Sequence, residues 1–287
     1  MSDKKIITRR AYSKVNLSLR IGGRREDGYH ELDTLMVPVS LADGIEYANS
    51  KTTFLVSDAK DIPLDEENLV MKAVRAFERR YGRKVKQKIT LRKAIPSGAG
   101  LGGGSSDAAS TLLVLDEKMG TGYSREELEE MAGEVGSDVP FFFDSRPARC
   151  TGRGERVAPE PGLASWSCPV VIIKPPFGSS TADMYRRWET SRELPAFSYA
   201  PQRFRGVELV NDLERPAFGK FPFLGMLKNW LLGREGVGAA LLTGSGSALF
   251  ALTDDYVDAA RVAAEARQEF GASLFTWVGE VNPPASS

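Results

Sequence analysis

The chain has 287 residues, 42% of them hydrophobic and 26% charged, with Lys+Arg and Asp+Glu balanced at 38 each. That is globular composition, enough for one large core or two modest ones, and zero net charge offers no broad basic face to nucleic acid or a membrane. One histidine, and two cysteines (Cys150 and Cys168) outside any CxxC spacing, exclude a His- or Cys-based metal cluster and point to a reduced, cytoplasmic compartment; the opening MSDKKIITRR has no apolar signal core, and no run approaches the roughly 20 apolar residues of a membrane helix.

In chain order, residues 6–21 alternate irregularly between apolar and polar and predict a strand. GGRREDGYHE (22–31) is a charged turn region. Residues 32–48 predict strands interrupted at Pro38, hence an edge or a bend. After Asn68, residues 69–82 place Leu69, Val70, Ala73, Val74 and Phe77 on one helical face, with Gly82 as the stop. Residues 85–96 alternate as a strand up to Pro96. A glycine-rich loop follows, then a helix whose start is expected at Ser105 or Ser106, with Asp107–Met119 carrying its apolar positions. Ser124 with Glu127 three residues on is a capping-box pattern opening a helix over 124–136.

From 160 the texture changes. Residues 159–169 predict a crossing segment, VVIIK (170–174) a buried strand, 180–189 a short helix behind a Ser/Thr cap, and 216–233 a loop followed by a helix. Residues 239–253 predict a strand, a tight loop, then a strand or helix. A clear amphipathic helix covers 256–271 and a final strand 273–281. Helices and strands are mixed without strict alternation, which favours an α+β fold, and there is no internal repeat.

The stretch IPSGAGLGGGSSDAAS (95–110) holds five glycines in sixteen residues and runs into small helix-forming residues. Glycine admits positive φ and lets a ligand approach bare backbone. Successive amides then form an anion cradle, and a helix start adds unpaired N–H groups and partial positive charge. The fitting guest is a phosphate chain, to which Ser105 and Ser106 can donate hydroxyls, or for which they can ligate Mg²⁺. A P-loop is excluded because no lysine follows the glycines. Gly98, Gly100 and Gly103 satisfy a dinucleotide GxGxxG, yet Pro96 separates strand from loop and the following strand and acidic residue are missing. A protein-kinase loop would lead into a strand, and HRD and DFG are absent.

PSGAGLGGGSSDAA is similar to the phosphate-binding signature of the GHMP small-molecule kinases, the superfamily of galactokinase, homoserine kinase and mevalonate kinase. Its three consecutive glycines with SSDAA resemble the branch acting on a cytidine diphosphate-linked methylerythritol in the non-mevalonate isoprenoid pathway. YSKVNLSLRIGGRREDGYHEL (12–32), GSDVPFFF (136–143) and TGSGSALFAL (243–252) resemble further signatures of that branch in the expected order, while 190–240 is weakly informative apart from NDLE (211–214). The resemblance implies a two-lobed α+β fold: an N-terminal lobe like ribosomal protein S5 domain 2 (1–160, with 274–287 returning to it) and a ferredoxin-like C-terminal lobe (161–273). It also implies ATP as phosphoryl donor, Mg²⁺ with ligands that the sequence does not reveal, and transfer to the 2-hydroxyl of the cytidyl substrate.

The resemblance implies, residue by residue, Asp138 as acceptor of the hydroxyl proton and Lys14 as its cationic partner. Pro96, Ser97, Gly98, Ala99, Gly100, Leu101, Gly102, Gly103, Gly104, Ser105 and Ser106 would hold the nucleotide. Asn16 shares a strand face with Lys14, which would let it hydrogen-bond the substrate. Tyr29 and His30 would meet the cytosine, with Tyr185 as a further stacking ring. Thr181 lies four residues before Tyr185, on the same helix face. Gly244 and Gly246 allow a tight turn that approaches substrate or phosphate. The three phenylalanines of 141–143 read as core, and Ser13 stands where the family often has alanine. The rival readings are another small-molecule kinase of the superfamily and a nucleotide-binding module without catalysis; GRREDGYH argues against the first, and Lys14 with Asp138 against the second.

Overall fold

A computed structural model describes residues 6–283. A long hairpin organises the N-terminal half: β1 (Ile7–Arg24) and β2 (His30–Asn49) pair antiparallel, and the turn between them closes with Arg25 N–H donating to the Tyr29 carbonyl at 2.7 Å. β3 (Phe54–Ser57), α1 (Leu69–Tyr81), β4 (Gln87–Arg92), α2 (Gly103–Met119), α3 (Arg125–Val135), a 3₁₀ turn (Pro140–Phe143), β5 (Ala148–Gly152) and β6 (Arg156–Pro159) follow. The C-terminal half runs β7 (Cys168–Lys174), α4 (Thr181–Trp188), β8 (Gln202–Phe204), β9 (Val207–Asn211), α5 (Glu214–Lys220), α6 (Pro222–Leu232), β10 (Val237–Leu242), β11 (Leu249–Thr253), α7 (Tyr256–Phe270) and β12 (Phe275–Val281).

One strand path, β10-β11-β7-β12-β2-β1-β9-β8, joins the two halves, with β3, β4, β5 and β6 attached through β2. Three apolar layers result. The first packs α1, α2 and α3 on the hairpin through Val74, Phe77, Ile89, Leu112 and Leu115. The second lies between the halves and takes Val15, Leu17, Val37, Ile172 and Phe250. The third seats α5, α6 and α7 on β7, β10 and β11 through Ile173, Phe218, Leu227 and Val262. Each such side chain contributes about 1.5–3 kcal/mol on burial. Period-two alternation sends Val15 and Leu17 into the middle layer and leaves Lys14 and Asn16 on the other face of β1, turned to the site.

The mixed, non-alternating order is the α+β architecture expected. Four details differ from the reading of the sequence. Pro38 lies inside the continuous strand β2, not at an edge, and the irregularity expected there is a register shift of the β1–β2 ladder between Tyr12 and Ser13. There it stands opposite Lys14, its carbonyl accepts Asn282 N–H at 2.7 Å, and Lys14 N–H turns instead to the Leu101 carbonyl at 3.0 Å. A residue without an N–H therefore opens the ladder where the glycine loop docks. α2 begins at Gly103, two residues earlier than expected, because Gly102 at φ 72° turns the chain and its carbonyl accepts Ser106 N–H at 2.9 Å. Residues 216–233 hold two helices, since Pro222 starts α6 directly after α5. The β8–β9 hairpin lies where no strand was expected, in the weakly informative stretch 190–240.

Candidate active site

The glycine loop lines a cavity of about 450 Å³ with residues 96–105. Its carbonyls are tied to the protein. Gly98 accepts from Ser247 N–H and Ser179 N–H, both at 3.2 Å, Ala99 from Ala248 N–H at 3.1 Å, and Gly100 from Thr243 Oγ1 at 3.2 Å. Leu101 accepts from Lys14 N–H. Ser97 and Gly98 form a turn that engages the Ala99 N–H, whereas among the described residues the main-chain N–H groups of 97, 98 and 100 to 105 have no acceptor in the protein. The loop is thus anchored by its oxygens and presents its donors, which is how a backbone binds an anion. Glycine is forced at two positions. Gly100 has φ 75°, and a Cβ there would run into the Thr243 carbonyl; Gly102 has φ 72°, and a Cβ would lie 2.6 Å from Phe142 Cζ. Ser106, unlike Ser105, is buried and does not line the cavity.

Lys14 stands beneath the loop, 3% exposed. Its ammonium donates to Asn16 Oδ1 at 2.7 Å and lies 3.4 Å from Asp138 Oδ2. Asn16 Nδ2 donates to Thr34 Oγ1 at 2.7 Å, and Thr34 in turn to the Ser18 carbonyl at 2.6 Å, so the amide's orientation is fixed along a chain ending in main chain. Asp138 sits in the turn between α3 and the 3₁₀ segment, where Val139 N–H donates to the Gly136 carbonyl at 3.1 Å. Its carboxylate is half-exposed and faces open space. Behind it Phe141 and Phe142 are buried as core, while Phe143 is partly covered by the Arg125 guanidinium. Ser13 is buried with no partner for its hydroxyl among the described residues, consistent with a place suited to alanine.

A second cavity, about 690 Å³, lies on the other side of Asp138, and Leu32, Asp138, Thr181 and Tyr185 line both. His30 and Tyr185 face each other there with ring centroids 6.2 Å apart and planes 20° from parallel, and His30 Nε2 lies 3.2 Å from Glu189 Oε1. Burial, with Asp138 nearby, raises the Tyr185 phenol above its ordinary value. Tyr29 is exposed at the mouth, with the Arg153 guanidinium 5.2 Å from its ring centre. Thr181 Oγ1 and Ser245 Oγ, 2.8 Å apart, tie α4 to the 243–248 loop. Gly244 and Gly246 line the first cavity, not the second.

Sequence reasoning missed several neighbours. Lys93 bridges Asp43 and Asp107, 2.7 Å from the latter, and Asp43 Oδ1 accepts the N–H groups of Ala94 and Ile95 at 2.6 and 2.9 Å. This triad fixes the approach to the glycines. Burial pushes the Asp107 carboxyl up to about 7, against the pull of Lys93 and with the help of Asp43; its Oδ1 is buried without a partner. Beyond it the first cavity continues over Ile62, Pro63, Asn68 and Leu69. Arg24 and Arg153 line the second cavity and, among the described residues, have no carboxylate partner within ion-pair distance. Only the unassigned RR of GRREDGYH and the R of GRGE signalled them.

Residues 68–146 match the family described as GHMP kinases N terminal domain, and residues 204–272 that described as GHMP kinases C terminal. The chain is 40% identical over 256 residues to the 4-diphosphocytidyl-2-C-methyl-D-erythritol kinase of Methylacidiphilum infernorum, covering 88% of each chain. It is also 40% identical over 248 residues to the enzyme of that name from Protochlamydia amoebophila, covering 86% of this chain and 84% of that one. A crystal structure of a 4-(cytidine 5'-diphospho)-2C-methyl-D-erythritol kinase superposes with a TM-score of 0.77 at 37% identity, over 96% of this chain and all of the other. Mevalonate kinase of Methanococcus jannaschii shares the fold, with a TM-score of 0.64 at 13% identity over 98% of each chain.

Proposed function

Because the chain belongs to the 4-diphosphocytidyl-2-C-methyl-D-erythritol kinases, within the GHMP kinases, we infer that it phosphorylates that cytidyl substrate with ATP in the non-mevalonate isoprenoid pathway. The observation that carries the reading is the position of Asp138, with Lys14 beside it, at the junction of a cavity walled by free amides and a cavity walled by rings and arginines.

In this reading the triphosphate lies on the amides of residues 97–105, and its terminal group points to Asp138. The apolar wall of Ile62, Pro63 and Leu69 suits the flat face of a base. In the second cavity, Tyr185 and Tyr29 offer faces for cytosine, and His30 a hydrogen bond to its edge. Thr181, Asn16 and the 244–246 turn border the sugar-alcohol end. Arg24 and Arg153 supply positive charge to the diphosphate. Asp138 takes the proton of the 2-hydroxyl as its oxygen attacks the γ-phosphorus, and the bond to the β-phosphate oxygen breaks to give ADP and the 2-phosphate. The Lys14 ammonium orients the hydroxyl and balances charge that spreads over the phosphoryl oxygens.

Mg²⁺ suits the oxygens present. No group of three or more His, Cys, Asp or Glu able to hold a metal exists among the described residues, so the phosphates themselves would supply most ligands, with the Ser105 hydroxyl as the protein's contribution. The ion would neutralise phosphate charge. The lobes divide near residue 160: α1–α3 serve the nucleotide and α4–α7 the substrate, while β12 pairs with β7 and touches β2 at Val281–Val39. Residues 284–287 of the expected returning segment lie outside the described residues. No described helix is long and apolar enough to cross a membrane, and both cysteines are free and buried.

Coupled ADP release tests the reading. Turnover is expected with the cytidyl substrate and not with mevalonate or homoserine; turnover with either of those alone would overturn it.

A further inference from the structure

The tetrapeptide NDLE (211–214) touches neither cavity, yet each of its side chains has a task. Asn211, 3% exposed at the end of β9, donates both amide hydrogens, to the carbonyls of Leu242 and Gly244, each at 2.8 Å, and its Oδ1 accepts Leu213 N–H at 2.9 Å. Asp212 accepts Ile21 N–H at 2.9 Å and so ties the segment to β1. Leu213 is core. Glu214, buried against Lys228 at 2.6 Å, accepts Leu242 N–H at 3.1 Å. Residue 242 is thus held at its N–H by Glu214 and at its carbonyl by Asn211. That is where β10 ends and the 243–248 turn begins.

This turn is the piece that grips the glycine loop. Its Ser247 and Ala248 amides and the Thr243 hydroxyl occupy the carbonyls of Gly98, Ala99 and Gly100. While those carbonyls are occupied, the peptide planes of the loop keep their N–H groups toward the cavity. Released, the same planes are free to rotate, because glycine resists neither orientation.

We propose that Asn211 is a positioning residue for ATP: by pinning the carbonyls of 242 and 244 it sets the turn that aims the glycine-loop amides, without touching the nucleotide. Glu214 assists from the other side of residue 242. The proposal rests on the reading of residues 96–105 as the phosphate cradle.

Asn211→Asp keeps the shape and removes both donors, setting a carboxyl oxygen against two carbonyls. The expected result is a rise of about tenfold in the KM for ATP, with the KM for the cytidyl substrate within about twofold of the parent. The variant-to-parent ratio of kcat/KM for ATP should recover as the pH is lowered, since the protonated carboxyl regains one donor. Leu224→Ala, in the same apolar layer but away from the turn, is the control for lost stability and should leave the ATP KM unchanged. If Asn211→Asp does not fold, Asn211→Ser, which keeps one donor, carries the same test with a smaller rise. A folded Asn211 variant whose ATP KM equals the parent's, or whose two KM values rise together, overturns the proposal. Failure of the parent to saturate with ATP would instead refute the cradle itself.

Discussion

The two walls around Asp138 are built from different parts of the chain. The wall proposed for the nucleotide is main chain: amides aimed inward because their carbonyls are tied to the 243–248 turn and to β1. The wall proposed for the substrate is side chains: His30, Tyr29 and Arg24 near a hairpin tip, Arg153 on a loop, Tyr185 and Thr181 on the short helix α4. A backbone site tolerates little added carbon, since its geometry is the geometry of the fold. A side-chain site folds equally well when stripped, and loses only the contacts removed. The first should therefore fail by addition and the second by subtraction.

The largest effect is expected where the walls meet. Asp138→Asn should lower kcat by about a thousandfold, in the range for loss of a general base, and leave the KM for ATP near the parent's. A single-turnover assay with both substrates bound reads this directly, and a variant as active as the parent would remove Asp138 from the proton transfer. Addition to the first wall comes next. Gly100→Ala puts a methyl against the Thr243 carbonyl at φ 75°, and strain of about 1–3 kcal/mol should raise the KM for ATP by about tenfold or more while sparing the cytidyl KM. Subtraction from the second wall should do the reverse. Tyr185→Ala should cost about 1–2 kcal/mol of base stacking, visible as a raised cytidyl KM at unchanged ATP KM. Arg153→Met should act through charge, weakening inhibition by cytidine diphosphate by about threefold and leaving cytidine itself unaffected. If Gly100→Ala moved only the cytidyl KM, or Tyr185→Ala only the ATP KM, the walls would be assigned the wrong way round.

The same contrast explains what could be read without coordinates. A backbone site needs glycines in a row before a helix, and residues 98–104 announce it. Lys14 was legible only through the family resemblance, and Asn16 because a two-residue spacing puts it on the strand face of Lys14. Arg24 and Arg153 were not, because a lone arginine has many surface uses and only the fold brings these two to one cavity. The grip on the glycine loop was hidden for another reason. Asn16 meets Thr243 across 227 residues, and Gly100 meets it across 143, so no local pattern records the contact. NDLE stood out as a string, yet its purpose lies in which carbonyls Asn211 reaches. Pro38 misled because proline argues for an edge in general, whereas here it opens one rung of a central strand for the glycine loop.

The smallest expected effect separates the walls by their response to pH. Asp183, which anchors α4 behind the substrate wall, is held far below the usual carboxylate range by Lys220 first and by Arg186 and Arg187. Its folded pKa lies under its unfolded one, so its contribution to stability is present above about pH 4 and is lost as the pH falls through the folded value. Asp107, at the foot of α2 in the nucleotide wall, has the opposite sign. Burial raises it to about 7, so its contribution is full below about pH 4 and is lost as the pH rises through about 7. Its ionised form leaves Oδ1 buried and unpaired, while Lys93 still has Asp43. Asp107→Asn should therefore gain in Tm relative to the parent as the pH rises through that window, and Asp183→Asn should lose least relative to the parent at the acid end. Melting curves of the three proteins across pH measure both slopes. Equal slopes for the two variants would mean that the nucleotide wall is not standing on a carboxyl kept protonated by burial.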